Sequence, residues 1–165
     1  MTMAPLTHWS ARIGELLTRS GLSGRAFAHT IGTAHHAVRV WTQLDKDPRI
    51  DLAAQVSRIT GYSLDSLTGA DPLSLRCDFP PLAREVAIAS WRTIVWPDQI
   101  LALVPAAKTR RAAIVEIADR ALLPIRTVSG WIYESKQPQL ACAHEVAVGF
   151  GVSLDGLVFG SGGAS

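Results

Sequence analysis

Thr33–Gln43, TAHHAVRVWTQ, decides how this chain folds, because its pattern returns ninety residues later as Leu123–Tyr133, LPIRTVSGWIY. Val38 is answered by Val128 and Trp41 by Trp131. Wound as a helix, the first copy gathers Ala34, Val38 and Trp41 on one face, at i, i+4 and i+7. His35, His36 and Arg39 are left on the other. An inward apolar stripe opposite hydrogen-bonding side chains suits a helix that packs on its own domain and offers its outer face to a partner.

Working outward, the same offset aligns residues 28–67 on 118–157 without a gap, and twelve positions are identical. They include Ala28, Lys46, Pro48, Ala53, Val56 and the run Gly61, Ser63, Leu64, Asp65 and Leu67. Upstream of Thr33, the pattern Trp9, Ile13, Leu16, Leu17 predicts a helix stopped by Gly21. Ser23 caps a second helix, Gly32 supplies the turn, and Thr33 caps the third. Downstream, Pro48 ends a loop and a helix runs over 51–60 to a C-cap at Gly61. Ser63 then caps a short final helix. Residues 1–8 read as a loose lead-in. The register fades at the start of the second copy, where Pro105 interrupts the expected first helix.

Between the copies, residues 70–97 read as a linker that contains a helix over 82–95, entered through Pro80 and Pro81 and stopped by Pro97. The predicted architecture is all-α: two small helical bundles, 9–69 and 98–160, joined by a linker helix and followed by a disordered tail, 161–165. The large aromatics Trp41 and Trp131 are expected in the cores, and Trp91 and Trp96 are expected to dock the linker on a domain.

Composition permits this and excludes much else. With 48% apolar and 18% charged residues in 165, the chain can fill compact cores, and its net charge of +2 neither demands nor forbids an anionic partner. The two cysteines, Cys77 and Cys142, match no metal or redox spacing and are read as inert, which points to a reducing cytoplasm. Neither a signal peptide nor a membrane span is predicted. His35 and His36 are neighbours that point apart on a helix and do not make a metal pair. No nucleophile, carboxylate pair or phosphate-cradling loop indicates an enzyme, and no cofactor is expected.

Each copy resembles the Cro/CI-type (XRE-like) helix-turn-helix domain, a bundle of five short helices. In the first copy the likeness rests on Leu22-Ser23, Phe27-Ala28, Ile31-Gly32, Val38, Trp41, Pro48 and Gly61–Leu67. In the second it rests on Ile117-Ala118, Val128, Trp131, Pro138 and Gly151–Leu157. Two departures stand out. The glutamine that the family often carries at the start of its second helix is Gly24 here and Ile114 in the second copy, so that role is not carried over. The turn glycine becomes Leu122, which predicts a different turn geometry there, with Pro124 at the next helix start. A narrower likeness is to immunity repressors of temperate actinobacterial phages, in which two DNA-binding domains are joined by a helix.

The resemblance implies that the third helix of each copy lies in the major groove, where base edges carry a readable code. The base contacts it implies are His35, His36, Arg39 and Gln43 in the first copy and Ile125, Arg126, Ser129 and Gly130 in the second. Arg39 and Arg126 are the expected guanine readers, and Ile125 is placed to meet a thymine methyl group. Gly130 serves either close backbone approach to DNA or a tight corner. Phosphate contacts fall to Thr33, Lys46 and Arg49, then to Lys108, Arg110, Arg111, Thr127 and Lys136. Protonated histidine adds charge, so affinity is expected to rise as the pH falls through about 6.5.

Two unlike readers on one chain imply a monomer on an asymmetric double-stranded operator. A linker helix of ~20 Å would set them about one turn of DNA apart, ~34 Å, on a site of about 12–20 base pairs. The alternatives are a protein-interaction regulator of antitoxin type and the DNA-targeting part of a recombination or partition system.

Overall fold

The computed structural model describes residues 7–73 and 96–160, which fall into two compact units. The expected linker helix, the expected tail and Cys77 lie outside the described residues. Every regular element among the described residues is an α-helix, and the fold is all-α.

The first unit is α1 (Trp9–Ser20), α2 (Gly24–Thr30), α3 (His35–Gln43), α4 (Ile50–Thr60) and α5 (Leu64–Thr68). Its caps follow local chemistry. Ser23 Oγ accepts from Ala26 N–H at 3.2 Å and Ser63 Oγ from Ser66 N–H at 3.0 Å, each satisfying an orphan donor. Gly21 and Gly61 close α1 and α4 with φ of 66° and 74°, a conformation glycine adopts without a Cβ penalty. Thr33 does not cap α3. The N-cap is Ala34, which has no side chain to offer the helix, and the first turn is left open at its donor end.

Both ends of the described stretch are tied in. Thr7 is buried and its hydroxyl donates to Asp47 Oδ1 at 2.7 Å, while His8 N–H donates to the Thr68 carbonyl at 3.0 Å. These residues, expected in a loose lead-in, close the bundle. Leu73, expected in the linker, is buried, and its carbonyl accepts from Arg19 at 2.6 Å. Arg12 reaches the Asp71 carbonyl at 2.9 Å, and Glu15 braces both arginines by ion pairs.

The second unit is α6 (Trp96–Leu101), α7 (Arg110–Arg120), α8 (Ile125–Tyr133), α9 (Leu140–Phe150) and α10 (Leu154–Phe159). From α8 onward it follows the first unit at the ninety-residue offset. Its first helix is repeated too, in another register. Trp9 lies edge-on to Trp41 with ring centroids 5.6 Å apart and planes at 81°; Trp96 meets Trp131 at 5.7 Å and 82°. Ile13 and Ile100 follow four residues after each tryptophan, and all four side chains are fully buried. The match is at an offset of eighty-seven residues, because the stretch between first and second helices is built differently. Helix α6 ends at Leu101, ahead of Pro105, and α7 starts one turn earlier than α2 does, capped by Thr109. Pro97, expected to follow the linker helix, is the second residue of α6.

The turn before α8 departs from the sequence expectation. Leu122 takes φ 53° where Gly32 takes 70°, so the two turns share one geometry. The bonds agree: Thr33 N–H donates to the Ala28 carbonyl and Leu123 N–H to the Ala118 carbonyl, both at 2.9 Å. A leucine in this left-handed region costs about 1–2 kcal/mol. The cost is borne because the helices on either side fix the turn: α7 packs on α8 as α2 packs on α3.

Candidate nucleic-acid interface

Each third helix is held by its inner face and leaves a row outward. In α3, Val38 and Trp41 are buried, and His35, His36, Arg39 and Gln43 are exposed. Arg39 Nε–H donates to Gln43 Oε1 at 2.9 Å, one turn along the helix. That bond steadies the guanidinium and leaves both terminal NH₂ groups for a bidentate acceptor pair such as guanine O6 and N7. His35 leans back toward α2: a Cβ on Gly24 would stand 3.6 Å from its Nε2.

In α8, Val128 and Trp131 are buried, Ile125 and Arg126 are exposed, and Ser129 is half-buried. Gly130 is the departure. It is buried, and a Cβ there would stand 3.6 Å from Lys136 Cδ and 4.0 Å from Glu134 Oε1. Both distances are ordinary van der Waals contacts with exposed side chains of the following loop, so the space at this position does not itself demand glycine.

The expected phosphate contacts differ in how free they are. Lys46, Lys108, Arg110 and Arg111 are exposed and take part in no ion pair among the described residues. Arg49 is exposed but held in a fork by Asp51, with Nη2 at 2.6 Å and Nε at 3.2 Å from the two carboxylate oxygens. Lys136 is paired with Glu134 at 2.5 Å. The hydrogen bond and charge of Lys136, with a smaller contribution from Arg126, hold the Glu134 carboxyl below the usual carboxylate range. Thr33 and Thr127 are half-buried at the starts of their helices. Thr127 lines a cleft of about 460 Å³ with Arg126, Glu134 and Lys136.

Sequence reasoning passed over Arg25 and its counterpart Val115. Both are exposed on the helix that precedes the outward row, and Val115 shares a cleft with Ile125, Ser129 and Tyr133. The ninety-residue alignment contained the signal, because it pairs Arg25 with Val115 as it pairs His35 with Ile125. Among the described residues no cluster of potential metal ligands occurs, and no helix is long and apolar enough to cross a membrane.

Comparison with known proteins places the chain near a phage regulator. No family model and no solved structure matches it. It is similar to the repressor protein CI of Enterobacteria phage phi80, with 34% identity over 85 residues, which is 50% of this chain and 36% of that protein. The chain therefore aligns with little more than a third of that relative's length.

Proposed function

We propose that this chain is a sequence-specific, double-stranded DNA-binding transcriptional repressor of the phage immunity kind. In this reading α3 and α8 occupy the major groove of one asymmetric operator, and a single chain supplies both readers. The observation that carries it is the contrast between the two copies. Their backbones match down to three pairs of left-handed turn residues, Gly32 with Leu122, Asp45 with Ser135 and Gly61 with Gly151. The inward residues agree, and the outward rows share nothing. A duplicated fold that keeps its core and replaces its outer row has two different surfaces to recognise. The similarity to a phage CI repressor supports the same reading.

Arg39 serves as guanine reader in the first unit, with His35, His36 and Gln43 beside it. Arg126 takes that role in the second, flanked by Ile125 and Ser129. Lys46, Lys108, Arg110 and Arg111 contact phosphate directly, with Thr33 and Thr127 near the backbone and Arg49 and Lys136 partly neutralised by their carboxylates. Such contacts set register and make affinity depend on salt, while the base contacts set sequence.

The test is selection of bound sites from random duplex DNA with the full chain, combined with native mass measurement of the complex. The expected result is one chain on a non-palindromic site. A palindromic consensus occupied by two chains would overturn the two-reader arrangement, and failure to select any sequence would overturn the DNA-binding reading itself.

A further inference from the structure

The two outer faces can be compared residue by residue, because the turn and helix that carry them are superposable in sequence and matched in backbone geometry. The first unit presents Arg25, His35, Arg39 and Gln43, all exposed and all polar. At the same four places the second presents Val115, Ile125, Ser129 and Tyr133. Val115 is 46% exposed, Ile125 55% and Tyr133 58%. These four side chains line one cleft of about 310 Å³ together with Ile114 and Arg111. The exchange continues beneath the row. Gly24, bare under His35, becomes Ile114, buried beside Ile125.

Nothing in the fold requires this. Among the described residues of the first unit Leu44 is the one large apolar side chain that is exposed, whereas the second unit exposes several. Apolar side chains left in water gain on association only if an apolar group meets them. The rim of the cleft narrows the choice of what that group belongs to. Arg111 stands in the cleft wall, Lys108 and Arg110 precede it, and Arg126 follows Ile125 in α8; none of the four makes an ion pair among the described residues. A partner with an anionic frame and a small apolar interior fits both features. In the major groove, phosphates form the frame, and the thymine C5-methyl is the apolar group that the base edges present.

We infer that the second unit reads thymine C5-methyl groups, with Val115, Ile125 and Tyr133 as the residues that set this specificity. The inference rests on the DNA-binding reading given above and says which chemistry the second half of the operator carries. Ile125 and Tyr133 are eight residues apart, ~12 Å along a helix, which is three to four base steps of ~3.4 Å. The second half-site therefore contains a thymine-rich run of about that length beside the guanine read by Arg126. The first half-site carries no such demand.

Substitution of deoxyuridine for thymine tests this directly, since it removes the methyl and keeps pairing and the O4 acceptor. The duplex selected by the full chain is synthesised with uracil in one half-site or the other; synthetic DNA lacks methylated cytosine, so thymine is the sole source of the methyl group. Uracil in the second half-site is expected to weaken binding about fourfold per thymine, the equivalent of one buried methylene. Uracil in the first half-site is expected to change it less than twofold. The V115S/I125S/Y133S triple variant alters only exposed positions and removes every apolar group assigned to the methyl, so it is expected to bind the thymine and uracil duplexes alike. If a duplex is selected and uracil in its second half-site leaves affinity unchanged, the methyl-reading inference fails while the DNA-binding reading stands. The same holds if the triple variant keeps its sensitivity to uracil in the second half-site. If no duplex is selected, both fail together.

Discussion

Leu122 shows how much a single residue can be made to tolerate when its neighbours fix the backbone. It is 88% exposed and sits at φ 53°, so neither burial nor ease of conformation recommends leucine there. Leu122→Gly relieves the left-handed strain and gives back part of the gain through a more flexible unfolded chain. We expect a net stabilisation of about 0.5–1 kcal/mol in denaturant titration. Leu122→Ala, which keeps the Cβ, should give none of it. Glu134 is a second residue whose role can be isolated. Its carboxyl is held below its ordinary range by Lys136, so the pair is intact at neutral pH. Whatever it contributes to stability is lost only as the pH falls through that lowered value. Acidification within the physiological range therefore does not free Lys136 for a phosphate, but Glu134→Gln does. The variant should bind duplex DNA more tightly at low salt and steepen the plot of log affinity against log salt by about 0.9, the yield of one added phosphate contact. An unchanged slope would mean that Lys136 does not face the backbone.

At the scale of elements, α3 and α8 were legible because their period and their two shared inward residues constrain each other. Two copies agreeing at Val38 and Trp41 define the buried stripe better than either alone, and the outward residues follow by subtraction. What was not legible was α6. Its match to α1 is displaced by three residues, and Pro97 and Pro105 look like helix breakers when only the chain is in view. The structure places Pro97 within α6 and Pro105 beyond its end, and Trp96 takes the place of Trp9. The neighbour of Gly130, Lys136, was not legible for a related reason: it comes from the following loop, and helix periodicity cannot place a loop side chain. The tryptophan pair gives α6 a measurable share of stability. Trp96→Ala should cost about 3–5 kcal/mol, a large part of what a unit of this size possesses. Unfolding of the variant should divide into two transitions, the second unit melting first and the first unit unaffected. A double-mutant cycle with Trp131 should return a coupling of about 0.5–1.5 kcal/mol beyond simple burial.

For the whole molecule the proposed pair of unlike readers has a geometric consequence. Two identical readers in a dimer tolerate exchange of their half-sites, because each half-site is the same. Under the proposed arrangement, exchange would bring Arg25, His35, Arg39 and Gln43 against the bases meant for Val115, Ile125, Ser129 and Tyr133, and neither unit would find its own chemistry. The gain from carrying both readers on one chain is an effective concentration, and it exists only where both can be seated together. B-DNA repeats every ~10–10.5 base pairs, so an insertion of five between the half-sites turns one of them to the opposite side of the duplex. Fluorescence anisotropy with labelled duplexes should then report an affinity reduced to that of the better single unit. Arg39→Ala on this inserted duplex should cost about as much as on the intact operator, or nothing at all, according to which unit remains bound. An insertion of ten restores the facing and should recover affinity only as far as the connecting segment can reach. Indifference to both insertions would mean that the two units bind DNA independently, and the single asymmetric operator would give way to two separate sites.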